Sequence, residues 1–405
     1  MKPNFAQSAA PKGAAVLVGI DFHDAFFEAQ LEEAVELISS AGALVADTIT
    51  GKRYKPDPAT FAGSGKVEEI AEAVKDADAS LVVFNHQLSP IQIRNVEKIV
   101  GVRVIDRTDL ILDIFAQRAR SAEGKLQVEL AQMQHLLTRL VRGWTHLERQ
   151  RGGIGVRGGP GESQLEIDRR LVGESIKKLK DRLKKLERQR TTQRNARRRA
   201  GTFSVSIVGY TNAGKSTLFN RLTRSGTYVA DQLFATLDTT TRRLFIAPSV
   251  NVALSDTVGF IRNLPHSLVA AFHATLTEAV EADVLLHVVD ASNPLCDEQI
   301  AEVNKVLAEI GADDIPQVIV YNKIDRLEGL PPATALRNED GNISELRVSA
   351  ATGSGMDLLR DTIREHAEST SPAVRPDYGD AAIVQDEAIL IDQAHSHEIA
   401  HLGVD

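Results

Sequence analysis

With 405 residues the chain is longer than one typical domain, and its 43% hydrophobic and 25% charged residues are ordinary for a globular protein. The net charge of −8 argues against a nucleic-acid binder, and the single cysteine, Cys296, excludes an internal disulfide framework. No apolar run approaches the roughly 20 residues that span a bilayer, and the N-terminus lacks the apolar core of a secretory signal, so we expect a cytoplasmic protein.

Residues 14–115 alternate short apolar runs with helical periodicity, which predicts a small α/β domain with a mostly parallel sheet. The predicted strands are Ala15–Ile20, Leu44–Ile49, Leu81–Phe84 and Val102–Ile105. The predicted helices are Phe27–Ser40, Lys66–Ala77 and Pro90–Val100.

Within this region, Gly63-Ser-Gly-Lys66 resembles a truncated phosphate-binding loop. Thr60 stands where such a loop has its first glycine, and Val67 stands where it has a magnesium-binding hydroxyl. We therefore interpret the segment as a tight loop that caps a helix, rather than as a nucleotide site.

Two long helices with heptad spacing follow, and the short connection between them favours an antiparallel hairpin. The apolar residues of the first helix are Leu126, Leu130, Met133, Leu137, Leu140, Trp144 and Leu147. Those of the second are Val172, Ile176, Leu179, Leu183 and Leu186. For these apolar residues we adopt the simplest interpretation, namely that the two apolar faces pack against each other.

The connection between the two helices, Arg151–Gly161, contains six glycines and two arginines, Arg151 and Arg157. From Arg169 to Arg199 there are 14 Lys and Arg residues against three Asp and Glu residues, a local charge of +11. Such a run is consistent with a solvated helix face. A phosphate-binding loop, Gly209–Thr217, follows soon after this run. Beside such a loop the run is equally consistent with an RNA-binding arm whose arginines contact phosphates, and both interpretations stay open.

The segment Gly209–Thr217 reads GYTNAGKST directly behind the apolar run Ser204–Val208, and it matches the phosphate-binding loop G-x-x-x-x-G-K-[ST]. Its backbone N–H groups are expected to cradle the β-phosphate. Lys215 would neutralise the β- and γ-phosphate oxygens, and Ser216 would bind Mg²⁺ through its hydroxyl. The sequence therefore predicts a nucleoside triphosphate site here.

Four later segments complete the predicted site. Thr236 would bind Mg²⁺ beside the γ-phosphate, Asp256 would hold the ion through water, and Gly259 would donate its N–H to the γ-phosphate. Asp325 would accept hydrogen bonds from N1–H and the 2-amino group of guanine, which favours GTP over ATP. The backbone after Val348 would read the guanine 6-oxo group. We expect Lys215, Thr236 and Gly259 to serve catalysis.

The full set of predicted GTP-binding residues lies in these five segments. It comprises Gly209, Tyr210, Thr211, Asn212, Ala213, Gly214, Lys215, Ser216, Thr217, Phe234, Ala235, Thr236, Leu237, Asp238, Asp256, Thr257, Val258, Gly259, Asn322, Lys323, Ile324, Asp325, Ser349, Ala350 and Ala351.

Taken together, these residues resemble the HflX family of translation-associated GTPases. The resemblance rests on Pro56–Thr60, Gly63–Lys66, Val104–Ala119, Lys125–Gln132, Gly161–Glu166 and Phe234–Asp238. It implies a GTPase that binds the large ribosomal subunit, directs the glycine-rich loop at ribosomal RNA, and separates or rescues stalled ribosomes. Thr239, where proline is expected, and Ser163, where threonine is common, depart from the pattern.

The predicted fold class is α/β: a P-loop GTPase domain preceded by a small α/β domain with a long antiparallel helical hairpin. We expect residues 1–120, 121–200, 201–370 and 371–405 to form the N-terminal subdomain, the hairpin, the GTPase domain and a small C-terminal segment. The tail contains His395, His397 and His401, which we interpret as solvated residues rather than metal ligands. We expect a monomer.

Two hypotheses concern catalysis. Phe260 occupies the position after the D-x-x-G glycine, where many small GTPases carry a water-orienting glutamine, so we expect slow intrinsic hydrolysis that a partner completes. Phe260 is also consistent with a simple packing residue. Asn212 suggests a K⁺ ion beside the transferred phosphoryl group, because an asparagine there helps to bind K⁺ in similar GTPases.

Two rival functions stay open. One is a GTPase that acts on another RNA or on a protein partner, using the hairpin as a protein-binding coiled coil. The other is an ATP-dependent RNA remodeller that works through the N-terminal domain.

Overall fold

A computed structural model of the chain describes residues 13–150, 164–224, 233–247, 250–262, 273–329, 332–339 and 341–369. For residues 140–150, 164–165, 198 and 273–275 it describes the backbone alone. Both sheets lie in one compact unit of the chain, which ends at Ala367.

The first sheet has four parallel strands in the order β2-β1-β3-β4. Its strands are β1 (Gly13–Asp21), β2 (Ala43–Lys52), β3 (Leu81–Phe84) and β4 (Arg103–Asp106). The accompanying helices are α1 (Phe27–Ser40), α2 (Ser64–Asp76), α3 (Pro90–Val100) and α4 (Arg107–Arg118). The predicted elements are confirmed to within three residues. Helix α4 was not predicted, because residues 110–115 are all buried and show no amphipathic period.

The turn before α2 has a structural role, as the sequence predicts. Gly63 occupies the position that precedes the helix, and the guanidinium of Arg53 donates to the carbonyl of Ala62 at 2.9 Å. The ammonium of Lys66 lies 2.6 Å from the carboxylate of Glu69. The two cations near this turn are therefore engaged by the protein itself.

The predicted hairpin is confirmed as α5 (Ala122–Gln150) and α6 (Gln164–Arg199), which pack against each other. Among the apolar residues of the two predicted heptad patterns, Leu130, Val172 and Leu179 are buried. The side chains of Leu140, Trp144 and Leu147 and the whole connection with Arg151 and Arg157 lie outside the described residues.

The second sheet has seven strands in the order β10-β11-β9-β8-β5-β7-β6, and only the pairs β6–β7 and β10–β11 are antiparallel. The strands are β5 (Phe203–Gly209), β6 (Thr240–Ala247), β7 (Val250–Asp256), β8 (Val284–Asp290), β9 (Gln317–Asn322), β10 (Thr334–Arg337) and β11 (Ile343–Arg347). The helices are α7 (Lys215–Thr223), α8 (His273–Val280), α9 (Cys296–Glu309) and α10 (Met356–Ser369). These two sheets with their helices confirm the α/β class.

The base of α6 is tied to the second sheet's domain by ion pairs. Arg194 lies 3.7 Å from Glu278 and 3.1 Å from Glu281, and Arg197 lies 3.6 Å from Glu278. Part of the basic run is thus neutralised inside the protein. The domain boundaries stay a prediction, and the tail histidines lie outside the described residues.

None of the helices within the described part of the chain is long and apolar enough to cross a membrane.

Candidate functional site

A cavity of about 250 Å³ opens at the carboxyl ends of the central strands of the second sheet. Sixteen of the predicted nucleotide contacts line it: Thr211, Asn212, Gly214, Lys215, Ser216, Thr217, Phe234, Ala235, Thr236, Thr257, Gly259, Asn322, Lys323, Asp325, Ala350 and Ala351. Arg326 also lines the cavity and was not predicted. The remaining nine predicted residues do not face this space: Gly209, Tyr210, Ala213, Leu237, Asp238, Asp256, Val258, Ile324 and Ser349.

The phosphate-binding loop joins β5 to α7 and lies directly against the loop after β9. Gly214 has φ 91°, and a Cβ at this position would overlap the side-chain amide of Asn322. That amide donates to the carbonyl of Ala213 at 2.9 Å. Glycine is therefore required here both for the backbone conformation and for the close approach.

Lys215 is buried at the floor of the cavity, where its ammonium donates to the carbonyl of Tyr210 at 2.6 Å. Burial lowers the pKa of Lys215 to about 8, although the negative charge of Asp256 opposes the shift. A buried ammonium with so few partners is stabilised by the arrival of phosphate oxygens. Its position suits the predicted contact with the β- and γ-phosphates.

At one edge of the cavity, the two lining hydroxyls of Ser216 and Thr236 meet the carboxylate of Asp256, which lies just behind the lining. Ser216 Oγ lies 2.7 Å from Thr236 Oγ1 and 2.8 Å from Asp256 Oδ2, and Thr236 Oγ1 lies 3.2 Å from the same carboxylate oxygen. The other oxygen, Asp256 Oδ1, is buried and has no hydrogen-bond partner among the described residues. Burial raises the pKa of Asp256. An all-oxygen set with an unsatisfied buried carboxylate fits Mg²⁺.

The opposite end of the cavity is organised around Asp325. The hydroxyl of Ser349 donates to the carboxylate of Asp325, which fixes the carboxylate at the cavity wall. Asn322 Oδ1 accepts the N–H of Ala350 at 2.9 Å and so joins the two loops. The ammonium of Lys323 lies 2.7 Å from the carboxylate of Asp290. This arrangement leaves an oriented carboxylate at the cavity wall, in the position that the predicted guanine contact requires.

Residues 233–239, which we call the switch loop, connect the cavity to the N-terminal part of the chain. Phe234 is buried and packs edge-to-face on Phe115, with ring centroids 4.7 Å apart. Leu237 is also buried. The carboxylate of Asp238 accepts hydrogen bonds from Arg120 and Ser121 and is directed at the start of α5 rather than at the cavity.

Tyr210 has a role that its place in the phosphate-binding loop did not indicate. Its hydroxyl donates to the carboxylate of Glu33 on α1 and accepts the N–H of Arg262 at 2.7 Å. Arg107, at the start of α4, pairs with Glu33 and donates to the carbonyl of Arg262 at 3.1 Å. Glu33, Arg107 and Arg262 escaped prediction because no local motif marks contacts between residues so distant in sequence.

Phe260 is 1% exposed, and its ring lies in the core. Its backbone N–H donates to the carbonyl of Gly209 at 3.2 Å, and its carbonyl accepts the N–H of Thr211 at 2.7 Å. Phe260 therefore supports the phosphate-binding loop from behind. The packing interpretation of this residue is confirmed.

Three families match successive parts of the chain. They are described as "GTP-binding GTPase N-terminal" over residues 28–116, "GTP-binding GTPase Middle Region" over residues 118–197 and "50S ribosome-binding GTPase" over residues 204–323.

Individual relatives extend the likeness over most of the chain. GTPase HflX of Escherichia coli strain K12 is 56% identical over 87% of this chain and 82% of its own length. GTPase HflX of Spirochaeta thermophila is 40% identical over 90% of both chains. The crystal structure of the SsGBP and GDP complex covers 89% of this chain and all of that one, with 26% identity and a TM-score of 0.50. The likeness therefore includes the N-terminal and hairpin parts as well as the nucleotide-binding domain.

Proposed function

The chain belongs to the HflX family of GTPases, and on that premise we propose that this GTP-hydrolysing enzyme associates with the large ribosomal subunit through its hairpin and separates or rescues stalled ribosomes. The ribosomal partner would place the protein in the cytoplasm. GTP binding and hydrolysis follow from the family itself.

One observation carries the ribosomal proposal, namely the exposed basic face of α6. The exposed cations of this face are Lys177, Lys178, Lys180, Arg182, Lys184, Lys185 and Arg188. They differ from Arg190, Arg194 and Arg197, which pair with carboxylates at the base of the hairpin. The exposed face thus keeps positive charge available along the arm that leads to the glycine-rich loop, and such a face suits the phosphates of RNA.

The proposed mechanism assigns each part of the cavity a role. The hydroxyls of Ser216 and Thr236, with Asp256 through water, would hold Mg²⁺, whose positive charge would offset that of the β- and γ-phosphates. Lys215 would supply a second positive charge from the floor, and the N–H of Gly259 would contact the γ-phosphate. Asp325 would select guanine by accepting two hydrogen bonds. Phe260 offers no group that could orient the attacking water, so we propose that the ribosomal partner completes the site.

Binding to purified large ribosomal subunits tests the proposal. Co-sedimentation with a non-hydrolysable GTP analogue and with GDP should reveal binding that weakens as salt rises. Replacing Arg151 and Arg157 together by alanine should reduce the slope of log affinity against log salt by about 2. Replacing Arg337 and Arg364, two exposed arginines of the nucleotide-binding domain, is the matched control and should leave the slope unchanged.

A salt-insensitive interaction, or a slope that the Arg151 and Arg157 changes leave intact, would favour the rival function, in which the hairpin binds a protein.

Turnover of GTP measured with and without large subunits tests whether the ribosomal partner stimulates hydrolysis. Groups supplied by a partner accelerate related reactions by about 10³–10⁵. Equal turnover in both conditions would contradict stimulation by the partner. Light scattering reports whether joined ribosomes separate, and an unchanged signal after the protein and GTP are added would contradict the separating role.

A K⁺ requirement is a finer proposal for the same site. Asn212 has φ 59° and lines the cavity beside the phosphate-binding glycines. A monovalent cation held there would add a fixed positive charge near the transferred phosphoryl group. Turnover should be faster in KCl than in NaCl at equal ionic strength, and the difference should disappear when Asn212 is replaced by alanine. No difference in the native protein would mean that Asn212 is only a loop residue.

A further inference from the structure

The switch loop is attached at two points to different parts of the molecule. Thr236 lies in the hydroxyl and carboxylate cluster of the cavity, 2.7 Å from Ser216 Oγ. Asp238, two residues later, accepts the backbone N–H groups of Arg120 at 2.8 Å and Ser121 at 2.9 Å. Two residues of extended chain span at most about 7 Å, so Thr236 cannot be farther than that from Asp238. A movement that carries Thr236 beyond this reach must also move Asp238.

Asp238 completes the N-terminal cap of the first hairpin helix, α5. Ser121 directly precedes this helix, and its hydroxyl accepts the N–H of Gly124 at 2.9 Å while donating to the carboxylate of Asp238. The carboxylate thereby satisfies the backbone N–H groups of the two residues that precede α5, and it places a negative charge at the positive end of the helix dipole. A Cβ on Gly124 would overlap Asp238 Oδ1, so the glycine leaves room for this carboxylate.

The second hairpin helix contacts the adjacent residue. Arg190 of α6 donates to Thr239 Oγ1 at 3.2 Å and pairs with Glu123 of α5 at 2.8 Å. Both arms of the hairpin are therefore joined to consecutive residues at the end of the switch loop.

We propose that Asp238 is a positioning residue that couples the magnesium-binding Thr236 to the base of the hairpin. An ordinary cap is supplied by a neighbouring residue, whereas this carboxylate comes from a loop 117 residues away that also carries a proposed metal ligand. Displacement of the switch loop removes the Asp238 bonds from Arg120 and Ser121 at the base of α5, and displacement of the hairpin base withdraws Thr236 from the cavity. Thermodynamic linkage makes this coupling reciprocal. If the nucleotide changes the affinity of the hairpin for a ligand by some factor, that ligand changes the affinity for the nucleotide by the same factor.

This inference rests on the proposed magnesium and hairpin roles, but its test uses the full-length protein without ribosomes. Replacing Asp238 by alanine should lower kcat for intrinsic GTP hydrolysis and raise the half-saturating Mg²⁺ concentration, each on the order of tenfold, as loss of an orienting partner does at other metal sites. The affinity for GDP should change less than twofold, because GDP lacks the γ-phosphate. Asp238→Asn, which keeps one acceptor oxygen but loses the charge and the second acceptor, should be intermediate.

Amide hydrogen exchange in the first turn of α5, from Gly124 to Val128, provides the second measurement. In the native protein this turn should exchange more slowly with a non-hydrolysable GTP analogue than with GDP, and Asp238→Ala should abolish the difference. Asp57→Asn is the matched control, since Asp57 also accepts two backbone N–H groups, those of Ala59 and Thr60, in a loop remote from the cavity.

If Asp238→Ala keeps the native Mg²⁺ requirement, kcat and nucleotide-dependent exchange, Asp238 is only a helix cap and the proposal is wrong. Should that variant fail to fold, Asp238→Asn and Ser121→Ala allow the same decision, because each weakens the cap by fewer hydrogen bonds. A failure of ribosome binding would leave these measurements untouched, so the two proposals fail separately.

Discussion

The phenol of Tyr210 donates a hydrogen bond to the carboxylate of Glu33, so the phosphate-binding loop is bonded directly to the first helix of the N-terminal domain. Burial raises the pKa of Tyr210, and the charge of Glu33 adds to the effect, so the phenol stays protonated. The same hydroxyl accepts the N–H of Arg262, which follows the D-x-x-G segment. One side chain thus joins helix α1 to two segments of the predicted nucleotide site.

Replacing Tyr210 by phenylalanine should destabilise the protein by about 1–3 kcal/mol, because the buried N–H of Arg262 and an oxygen of Glu33 lose their partner. The midpoint of thermal unfolding measures the effect. Tyr54→Phe is the control, since Tyr54 is 90% exposed and its hydroxyl reaches solvent. Equal midpoints for the two variants would show that the Tyr210 hydroxyl contributes nothing to stability.

Replacing Phe260 by glutamine should not accelerate intrinsic GTP hydrolysis, although it restores the residue type that orients water in many small GTPases. The side chain is enclosed in the core behind the phosphate-binding loop, so the amide would be buried rather than directed at the γ-phosphate. Loss of the ring should cost about 3–5 kcal/mol of stability. Turnover and the unfolding midpoint should be compared with Phe260→Leu, and a faster Gln variant would contradict the packing role.

The sequence predicted those features that depend on neighbours in the chain. The phosphate-binding loop, the strands before it and the amphipathic helix α1 follow from local spacing and periodicity. Helix α4 lacked a period because it is buried on nearly all sides. The pairing of Arg194 with Glu278, like that of Tyr210 with Glu33, depends on how distant elements pack, and one sequence carries no signal for such contacts.

Nucleotide affinity should fall as the pH rises above about 8, the value to which burial lowers the pKa of Lys215. Below that pH the ammonium of Lys215 is already charged in the free protein. In the complex, phosphate oxygens raise the pKa of Lys215, so above pH 8 nucleotide binding must be accompanied by the uptake of a proton. The loss approaches tenfold per pH unit at most. Titrating a fluorescent GDP between pH 7 and 9 measures it, and Lys215→Arg, which stays charged throughout, should give a flatter profile. Equal slopes would exclude Lys215 as the titrating group.

Replacing Asp325 by asparagine should change the preferred base from guanine to xanthine. The asparagine oxygen still accepts one hydrogen bond, but its NH₂ faces the guanine 2-amino group, so GTP affinity should fall about ten- to hundredfold. Xanthosine triphosphate carries a 2-oxo group that accepts from the same NH₂, and its affinity should rise. Asp290→Asn is the control, because Asp290 pairs with Lys323 and does not line the cavity, so its loss should not reverse the preference. If Asp325→Asn weakens both nucleotides alike, Asp325 does not read the base.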